Sequence, residues 1–495
     1  MVVKLLKEDY KKIIFAFLTT LIVHFIKLVN YFPTWDSLGD GVDLPWKGMT
    51  NHGRWFSGIL KRLLASQYDL QWVEGIISAV FIALTIVLIL RIFDVKNKVC
   101  QILAIVTFVT FPSVTSTFAY MFWTPAYMCA LFMGVLGVYL CINCKAKVAI
   151  PVAMLLFTLC IATYQVYIPF SVTLFAFYIA TKLWDSENKL RDYKGPIISA
   201  VIALVGCAVI YYVGGKLAVS FFNVELTSYQ GASTVGLMSV SQYIIAAKTS
   251  FMAFVNYFLT LPKVGFYGAI NAVIIGFIIA FAIKFILLKK DIKVIRRICI
   301  LLLYSVLVPL TYFFYFASPD VFYHRLMELG NYFVYLFVII ILNRYYDEMK
   351  QFFRRALICV IALLCFYNFI NANIAYQSMH MSYERTYFEL SEIMMKVDEL
   401  KTEDVPTVAL VGEFEEGDNA VVASPYITGA AIDNFVQFPM CAKNFSKYYL
   451  NRDIVLATDE QIEKIEATEA FEQMPTYPQN GSIAVIDGII VVKLS

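Results

Sequence analysis

Long apolar runs separated by short polar segments dominate the first three quarters of the chain. Most of these runs are close to the roughly 20 residues that cross the hydrocarbon core of a bilayer. In lipid, backbone polar groups must be satisfied within the segment, so each run is predicted to be a helix. The pattern therefore predicts a polytopic α-helical membrane protein with about eleven transmembrane helices. The runs centre on residues 13–31, 74–93, 99–112, 126–143, 148–163, 167–183, 197–217, 267–288, 298–317, 329–343 and 356–372.

Basic residues recur after every second run. If eleven helices cross the membrane in alternating directions, all of these basic clusters lie on the same side of it. That side is expected to be the cytoplasm, because loops rich in Lys and Arg usually face it. The N-terminus is therefore expected in the cytoplasm. The opening loop 32–73, a long loop at about 216–266 and everything after residue 372 are expected outside. The clusters are Lys4 to Lys12, Lys96 and Lys98, Lys145 and Lys147, Lys182 to Lys194, Lys289 to Arg297, and Arg344 to Arg355.

The last part of the chain changes character. "SYERTYFELSEIMMKVDEL" places Tyr387, Leu390, Ile393, Met394, Val397 and Leu400 on one helical stripe. "VPTVALVG" is typical of a strand, and "DEQIEKIEATEAFEQM" of an exposed helix. "SIAVIDGIIVVKL" predicts a β-hairpin that turns at Asp487 and Gly488. We therefore expect a transmembrane domain over residues 1–372 and a small extracytoplasmic α/β domain over residues 373–495.

Composition agrees with a membrane protein. Hydrophobic residues make up 60% of the 495 residues and charged residues 16%, against about a quarter charged in soluble proteins. The net charge of +3 identifies no partner, and no nucleic-acid partner is expected. The ten cysteines are scattered and mostly lie inside apolar runs, so no disulfide framework is implied.

The opening loop is the densest polar segment near the membrane. Its first half, "FPTWDSLGDGVDLPWKGMTNHGRWF" (residues 32–56), contains three aspartates, one histidine, one arginine and three tryptophans. Its second half, "GRWFSGILKRLLASQ", predicts an amphipathic helix in the plane of the interface, with Lys61 and Arg62 opposite the apolar face. Tryptophans favour the same depth. The polar side chains held at headgroup depth are then Asp36, Asp40, Asp43, His52 and Arg54.

An acid and an arginine at this depth suit one kind of chemistry. A carboxylate near a low-dielectric region can be tuned to act as a general base. An arginine stays charged and binds phosphate through paired hydrogen bonds. Together they could act on a substrate linked to a lipid phosphate. The alternative is a solvated loop in which Arg54 only satisfies backbone carbonyls.

Two other segments place polar groups on the same outer side. Tyr164 and Gln165 lie where the fifth run turns into the sixth; for Tyr164 the alternative is an ordinary aromatic belt. "ASPDVFYHRLMELG" places His324 and Arg325 ahead of the tenth run. A charge entering a span is costly unless it faces a cavity or headgroups, so Arg325 is a candidate functional residue.

These features resemble the GtrII family of membrane glucosyltransferases, within the GT-C class. The matching residues are Asp36 in the first outer loop, Trp46, and the "GRW" of residues 53–55. The "YQ" at 164–165 and Arg325 before a late span also resemble that family. The chain departs from the family at Ser37, where a second aspartate is common, and at Asp40, where a basic residue is expected.

The resemblance implies transfer of a sugar, glucose or a similar hexose, from a polyprenyl-phosphate donor. The acceptor would be a cell-surface polysaccharide or lipid-linked glycan at the outer face of the bacterial plasma membrane. Asp36 would be the catalytic base. The residues that would bind the donor phosphate or substrate are Arg54, Arg325, His52, Gln165, Tyr164, Trp55 and Asp40. No cofactor is required, although Asp36 with Asp40 or Asp43 could hold a divalent cation.

Other functions remain open at this point. A polysaccharide polymerase or ligase would also be polytopic, but its large outer loop would carry arginine and histidine, and loop 216–266 has few of either. A lipid-linked glycan transporter or flippase would bury charges in mid-span and show internal repeats. Few mid-span charges are present.

Overall fold

A computed structural model describes residues 2–39, 46–229, 236, 238–259, 266–288, 291–318, 320–413, 427–431 and 434–495. The α-helices are α1 (Val2–Val23), α2 (Phe25–Val29), α3 (Trp35–Gly39), α4 (Ser57–Leu64), α5 (Gln71–Ile92), α6 (Lys98–Val109), α7 (Pro112–Ala119), α8 (Thr124–Asn143), α9 (Ala146–Thr163), α10 (Tyr167–Lys182), α11 (Lys194–Phe222), α12 (Val240–Leu259), α13 (Tyr267–Leu288), α14 (Val294–Thr311), α15 (Tyr332–Arg344), α16 (Gln351–Leu400), α17 (Pro439–Tyr449), α18 (Asp459–Glu466) and α19 (Glu469–Glu472). The strands are β1 (Thr407–Val411), β2 (Val455–Leu456), β3 (Ile483–Ile486) and β4 (Ile489–Lys493).

The protein is a mostly helical, multi-pass membrane protein. Among the described residues, seven helices are long and apolar enough to cross a membrane, or eight if α6 and α7 form one bent span. The bend between α6 and α7 is 41° and falls at Pro112, which cannot donate a backbone hydrogen bond. Each of the eleven predicted runs overlaps a helix. α10 and α15, with 16 and 13 residues, are shorter than the roughly 20 residues of a full span.

One predicted loop was wrong. The segment 216–266 is not a single loop, because α11 continues to Phe222 and α12 occupies Val240–Leu259. The sequence of α12, "VSQYIIAAKTSFMAFVNYFL", interrupts its apolar residues with Lys248 and several hydroxyl and amide side chains. These polar residues hide the helix from a search for unbroken apolar runs.

The chain divides into two compact units. The membrane unit contains Met1–Val29 and Pro45–Ala372, and the C-terminal unit contains Asn30–Leu44 and Asn373–Ser495. Residues 30–39 of the opening loop therefore pack with the C-terminal unit, a relation that nothing in the sequence indicates.

The C-terminal unit is built on a small mixed sheet with strand order β2-β1-β4-β3. β1 is parallel to β2 and β4, and β3 and β4 form an antiparallel hairpin. Asp487 and Gly488 at its turn have φ of 50° and 79°, which confirms the predicted turn with two residues of positive φ. One face of β1, including Val408 and Leu410, packs on α16 and α17. The other face, including Ala409 and Val411, packs on Ile465 of α18.

The predicted stripe on the tail helix is largely confirmed. Leu390, Ile393, Met394 and Val397 are buried in the core of the C-terminal unit. Tyr387, in contrast, is 46% exposed. The helix is longer than predicted, since α16 runs without a break over the 50 residues Gln351–Leu400.

Helix α4 turns a charged residue inward. The prediction that Lys61 lies on a polar outer face is wrong, because its side chain is 0% exposed and pairs with the equally buried Glu74 in the first turn of α5. Lys61 Nζ also donates to the Tyr68 carbonyl at 2.9 Å. Leu63, on another face of α4, is 70% exposed. The ion pair therefore fixes the face that α4 turns towards the rest of the unit.

Removing the acid of this pair should destabilise the protein. Glu74→Gln leaves the Lys61 ammonium buried without its counter-charge, and we expect the free energy of unfolding to fall by about 3 kcal/mol. Thermal unfolding of detergent-purified protein measures the effect. Glu187→Gln, at an exposed position, is the control, and equal midpoints for the two variants would contradict the account.

Candidate functional site

The loop that follows residue 45 is held in a compact turn by two glycines. Gly48 and Gly53 have φ of 48° and 76°, in the left-handed region that glycine tolerates. Gly53 ends the short helical turn Thr50–His52. The Arg54 amide then donates to the Met49 carbonyl at 3.1 Å, closing the loop on itself. This turn determines the direction in which Arg54 leaves the backbone.

The Arg54 side chain is held on one side by neutral partners. Its Nε donates to Oε1 of Gln165 at 2.9 Å, and its Nη1 donates to the Tyr127 hydroxyl at 3.2 Å. Its guanidinium carbon lies 4.8 Å from the centroid of the Tyr164 ring. Within the described part of the chain, Arg54 forms no salt bridge, and its Nη2 forms no hydrogen bond. A fixed cation with an unused donor group at Nη2 is suited to bind an anion.

Gln165 connects this arginine to its own loop. While its Oε1 accepts from Arg54, its Nε2 donates to the His52 carbonyl at 2.7 Å. Tyr164 stacks on Tyr127 with ring centroids 4.2 Å apart. Gln165 and Tyr164 lie at the turn between α9 and α10, so two predicted site residues together hold a third.

His52 and Trp55 line the same loop. Burial, followed by the positive charge of Arg54, lowers the pKa of His52 to about 4, so this imidazole is neutral at pH 7. Its ring meets Tyr229 edge to face at 5.1 Å. Trp55 packs on Gly214 and Gly215 of α11, where a Cβ on Gly214 would come within 2.8 Å of the indole. Trp55 therefore anchors the loop to α11.

A second charged cluster precedes α15. Arg325 Nη1 donates to Oε2 of Glu328 at 2.8 Å, and the guanidinium lies 5.0 Å from the Tyr257 ring centroid. Glu328 is only 6% exposed. Burial raises the pKa of its carboxyl to about 7, against the opposing effects of Arg325 and of a hydrogen bond from Tyr312. Glu328 is therefore a buried carboxyl that titrates near neutral pH.

Sequence reasoning missed Glu328. The available signal was its spacing, since an acid three residues after Arg325 can pair with it on one helical turn.

The Arg54 cluster and the segment that contains His324 and Arg325 also interact electrostatically. The positive charge of Arg54, after burial, lowers the pKa of the neighbouring His324. The structure thus brings His52, Arg54, Gln165 and the His324–Arg325 segment to one end of the membrane unit.

Asp36 belongs to the other unit. It lies in the first turn of the five-residue helix α3, which packs in the C-terminal unit, and its side chain is partly exposed. Ser37 is buried, and its hydroxyl accepts from the Thr34 amide at 2.9 Å. Asp40 lies outside the described residues.

The described residues do not form a metal site. Among them, no group of three His, Cys, Asp or Glu side chains is arranged to hold an ion. The nearby Cys441 thiol has its pKa raised to about 12 by burial and by the charge of Asp36, so it stays protonated. Asp43, like Asp40, falls outside the described residues.

Comparison with known proteins identifies the family. The sequence model described as "Glucosyl transferase GtrII" matches residues 25–341. The chain belongs to this family. The match spans Asp36, the Arg54 cluster and the Arg325–Glu328 pair, and it ends before α16 begins.

Other comparisons add little. No curated protein sequence matches the chain. Among solved structures, it is similar to the arabinofuranosyltransferase AftD from Mycobacteria, with 11% sequence identity and a TM-score of 0.32. The match covers 81% of this chain and 29% of that one, so this chain spans less than a third of the length of that protein.

The loop geometry of this GtrII family member should depend on Gly53. A Cβ there would lie 2.8 Å from the Tyr211 hydroxyl, and the backbone would be strained at φ 76°, a cost of about 1–3 kcal/mol. We expect Gly53→Ala to reduce sugar transfer in membranes more than tenfold, because Arg54 follows it directly.

Gly276→Ala is the matched control, since an added Cβ there meets nothing within 4 Å. Transfer at the wild-type rate by both variants, at equal expression, would show that the turn does not control Arg54.

Proposed function

We propose that this protein transfers a hexose, with glucose as the first choice, from a polyprenyl-phosphate donor to a glycan acceptor. The acceptor is a cell-surface polysaccharide or a lipid-linked glycan at the outer face of the bacterial plasma membrane. One observation carries the proposal: Arg54 is fixed by Gln165, Tyr127, Met49 and Tyr164, and among the described residues its Nη2 has no hydrogen-bond partner.

An arginine held in this way binds a phosphate at low entropic cost. The rotamer of Arg54 is already fixed by its neutral partners, so little further ordering is needed on binding. No carboxylate neutralises it among the described residues. A phosphodiester carries one negative charge, and its oxygens can accept hydrogen bonds from the Nη2 amino group of the guanidinium. Its phosphate group would sit at headgroup depth, where the lipid chain of the donor can stay in the bilayer.

Arg325 supplies the second cation. It is paired with Glu328, whose pKa of about 7 makes the pair's net charge depend on pH. When Glu328 is protonated, its negative charge no longer offsets that of Arg325, and Arg325 attracts an anion more strongly. When Glu328 is ionised, part of that charge is cancelled.

Asp36 is the proposed general base. Its carboxylate takes the proton of an acceptor hydroxyl while the hydroxyl oxygen forms a bond to the anomeric carbon of the donor sugar. The bond between that carbon and the phosphate oxygen breaks. The electron pair goes to the phosphate, which leaves as polyprenyl phosphate with its additional negative charge stabilised by Arg54.

The proposed topology follows the basic clusters. With eleven spans, the N-terminus is cytoplasmic, and the Arg54 loop and the C-terminal unit are outside. A transporter or flippase would move the donor without breaking its sugar–phosphate bond. Release of polyprenyl phosphate together with a glycosylated acceptor therefore separates a transferase from a transporter.

Arg54 variants test the phosphate contact. Arg54→Ala should lower kcat/KM for a polyprenyl-phosphate sugar by about 100-fold, the cost of removing one stabilising donor group. Arg54→Lys keeps the charge but not the paired donors, and we expect it to recover only part of the loss. Arg62→Ala, in the neighbouring helix α4, is the matched control. Wild-type kcat/KM in Arg54→Ala would rule out the assignment.

Glu328 predicts a pH dependence. Below about pH 7 it is protonated, so Arg325 attracts the donor phosphate fully; above that pH its charge opposes binding. The donor is a phosphodiester and does not itself titrate near pH 7. We therefore expect the donor KM to rise as the pH increases from 6 to 8.

In Glu328→Gln the donor KM should stay low and flat over the same range, while Glu348→Gln, an exposed control, should keep the wild-type rise. A rise of equal size in Glu328→Gln would exclude Glu328 as its cause.

A further inference from the structure

Helix α3, which carries Asp36, is built into the core of the C-terminal unit. Leu38 is 1% exposed and belongs to the same apolar cluster as Phe445 and Val436. Trp35 meets Phe438 edge to face, with ring centroids 6.4 Å apart. A helix of five residues is far too short to be stable alone, since isolated helices shorter than about 12 residues are marginal in water. Its conformation therefore depends on this packing.

Both ends of α3 are also tied by hydrogen bonds. At its start, the Thr34 amide donates to the Ser37 hydroxyl at 2.9 Å. At its end, Nδ2 of Asn444 donates to the Leu38 carbonyl and, at 3.3 Å, to the Gly39 carbonyl. The last carbonyls of a helix have no partner within the helix. The side-chain amide of Asn444, in α17, is the hydrogen-bond donor for these last carbonyls of α3.

The thiol of Cys441 completes the support. It lies one helical turn before Asn444 and donates to the Trp35 carbonyl at 3.5 Å. One face of α17 thus contacts the backbone on both sides of Asp36. Asp36 itself remains partly exposed, while the contacts of α17 fix the backbone on both sides of it.

We propose that the C-terminal unit is the support that positions the catalytic base, with Asn444 as the main positioning residue for Asp36. The proposal rests on the function proposed above, which assigns the base to Asp36. The family match ends at residue 341. The support is therefore supplied by a part of the chain that lies beyond the residues matched to the GtrII family.

The test uses full-length protein in membranes and separates kcat from KM. Asn444→Ala should lower kcat for sugar transfer about tenfold or more, because a small displacement of a reacting group is costly. The donor KM should change less than twofold, because Asn444 does not bind the donor. Lys447→Ala, an exposed position on the same helix, is the control and should keep wild-type kcat.

A double variant distinguishes positioning from general loss of stability. Asp36→Glu keeps a carboxylate but displaces it, so its kcat is already lowered. If Asn444 acts through Asp36, adding Asn444→Ala to Asp36→Glu should lower kcat by much less than tenfold. Asn444→Asp, which has the same shape but no amide donor, replaces Asn444→Ala if that variant fails to fold.

The outcomes separate the two proposals. Full activity of Asp36→Asn would overturn the assignment of the base, and with it the proposed mechanism. Loss of activity in Asp36→Asn together with wild-type kcat in both Asn444 variants would overturn only the positioning role. Independent, multiplicative losses in the double variant would also overturn it, because they indicate that Asn444 does not act through Asp36.

Discussion

The hydrogen bond from Arg54 to Gln165 is the contact on which the site of the membrane unit depends. Gln165 accepts from the guanidinium and donates to the backbone of the same loop at His52. It thereby fixes the arginine and the turn that presents it. Because the partners of Arg54 in the described part of the chain are all neutral, its charge is oriented but not cancelled. An anion approaching this end of the unit meets a cation that needs no further ordering.

The two carboxyl groups of interest occupy different environments. Glu328 is buried beside Arg325 in the membrane unit, and its pKa is raised to about 7. Asp36 is partly exposed in the C-terminal unit, on a short helix that other elements hold in place. A buried acid paired with a cation is suited to adjust the charge of that cation. An accessible acid on a fixed backbone is suited to accept a proton from a bound hydroxyl. This difference in environment supports the division of roles between them.

Much of the architecture could be predicted from periodicity and turn chemistry. Unbroken apolar runs indicated the helices, and Asp487–Gly488 indicated the hairpin. Helix α12 was missed because polar side chains interrupt it, and Lys61 was assigned to the wrong face because its partner, Glu74, lies in another helix. Arg54 and Gln165 are 111 residues apart in the chain. They could be assigned to one site because the loops that carry them were both predicted on the outer side of the membrane. The packing of residues 30–39 with the C-terminal unit could not be predicted, since it depends on contacts between residues about 400 positions apart in the chain.

The most direct test of the central claim is binding of the lipid phosphate itself. Purified wild-type protein in detergent should retain polyprenyl phosphate, observed as a bound mass by native mass spectrometry, and should not retain the polyprenol that lacks the phosphate. Arg54→Ala should lose this binding, and Arg62→Ala should keep it. Equal retention of polyprenyl phosphate by wild type and Arg54→Ala would contradict the account.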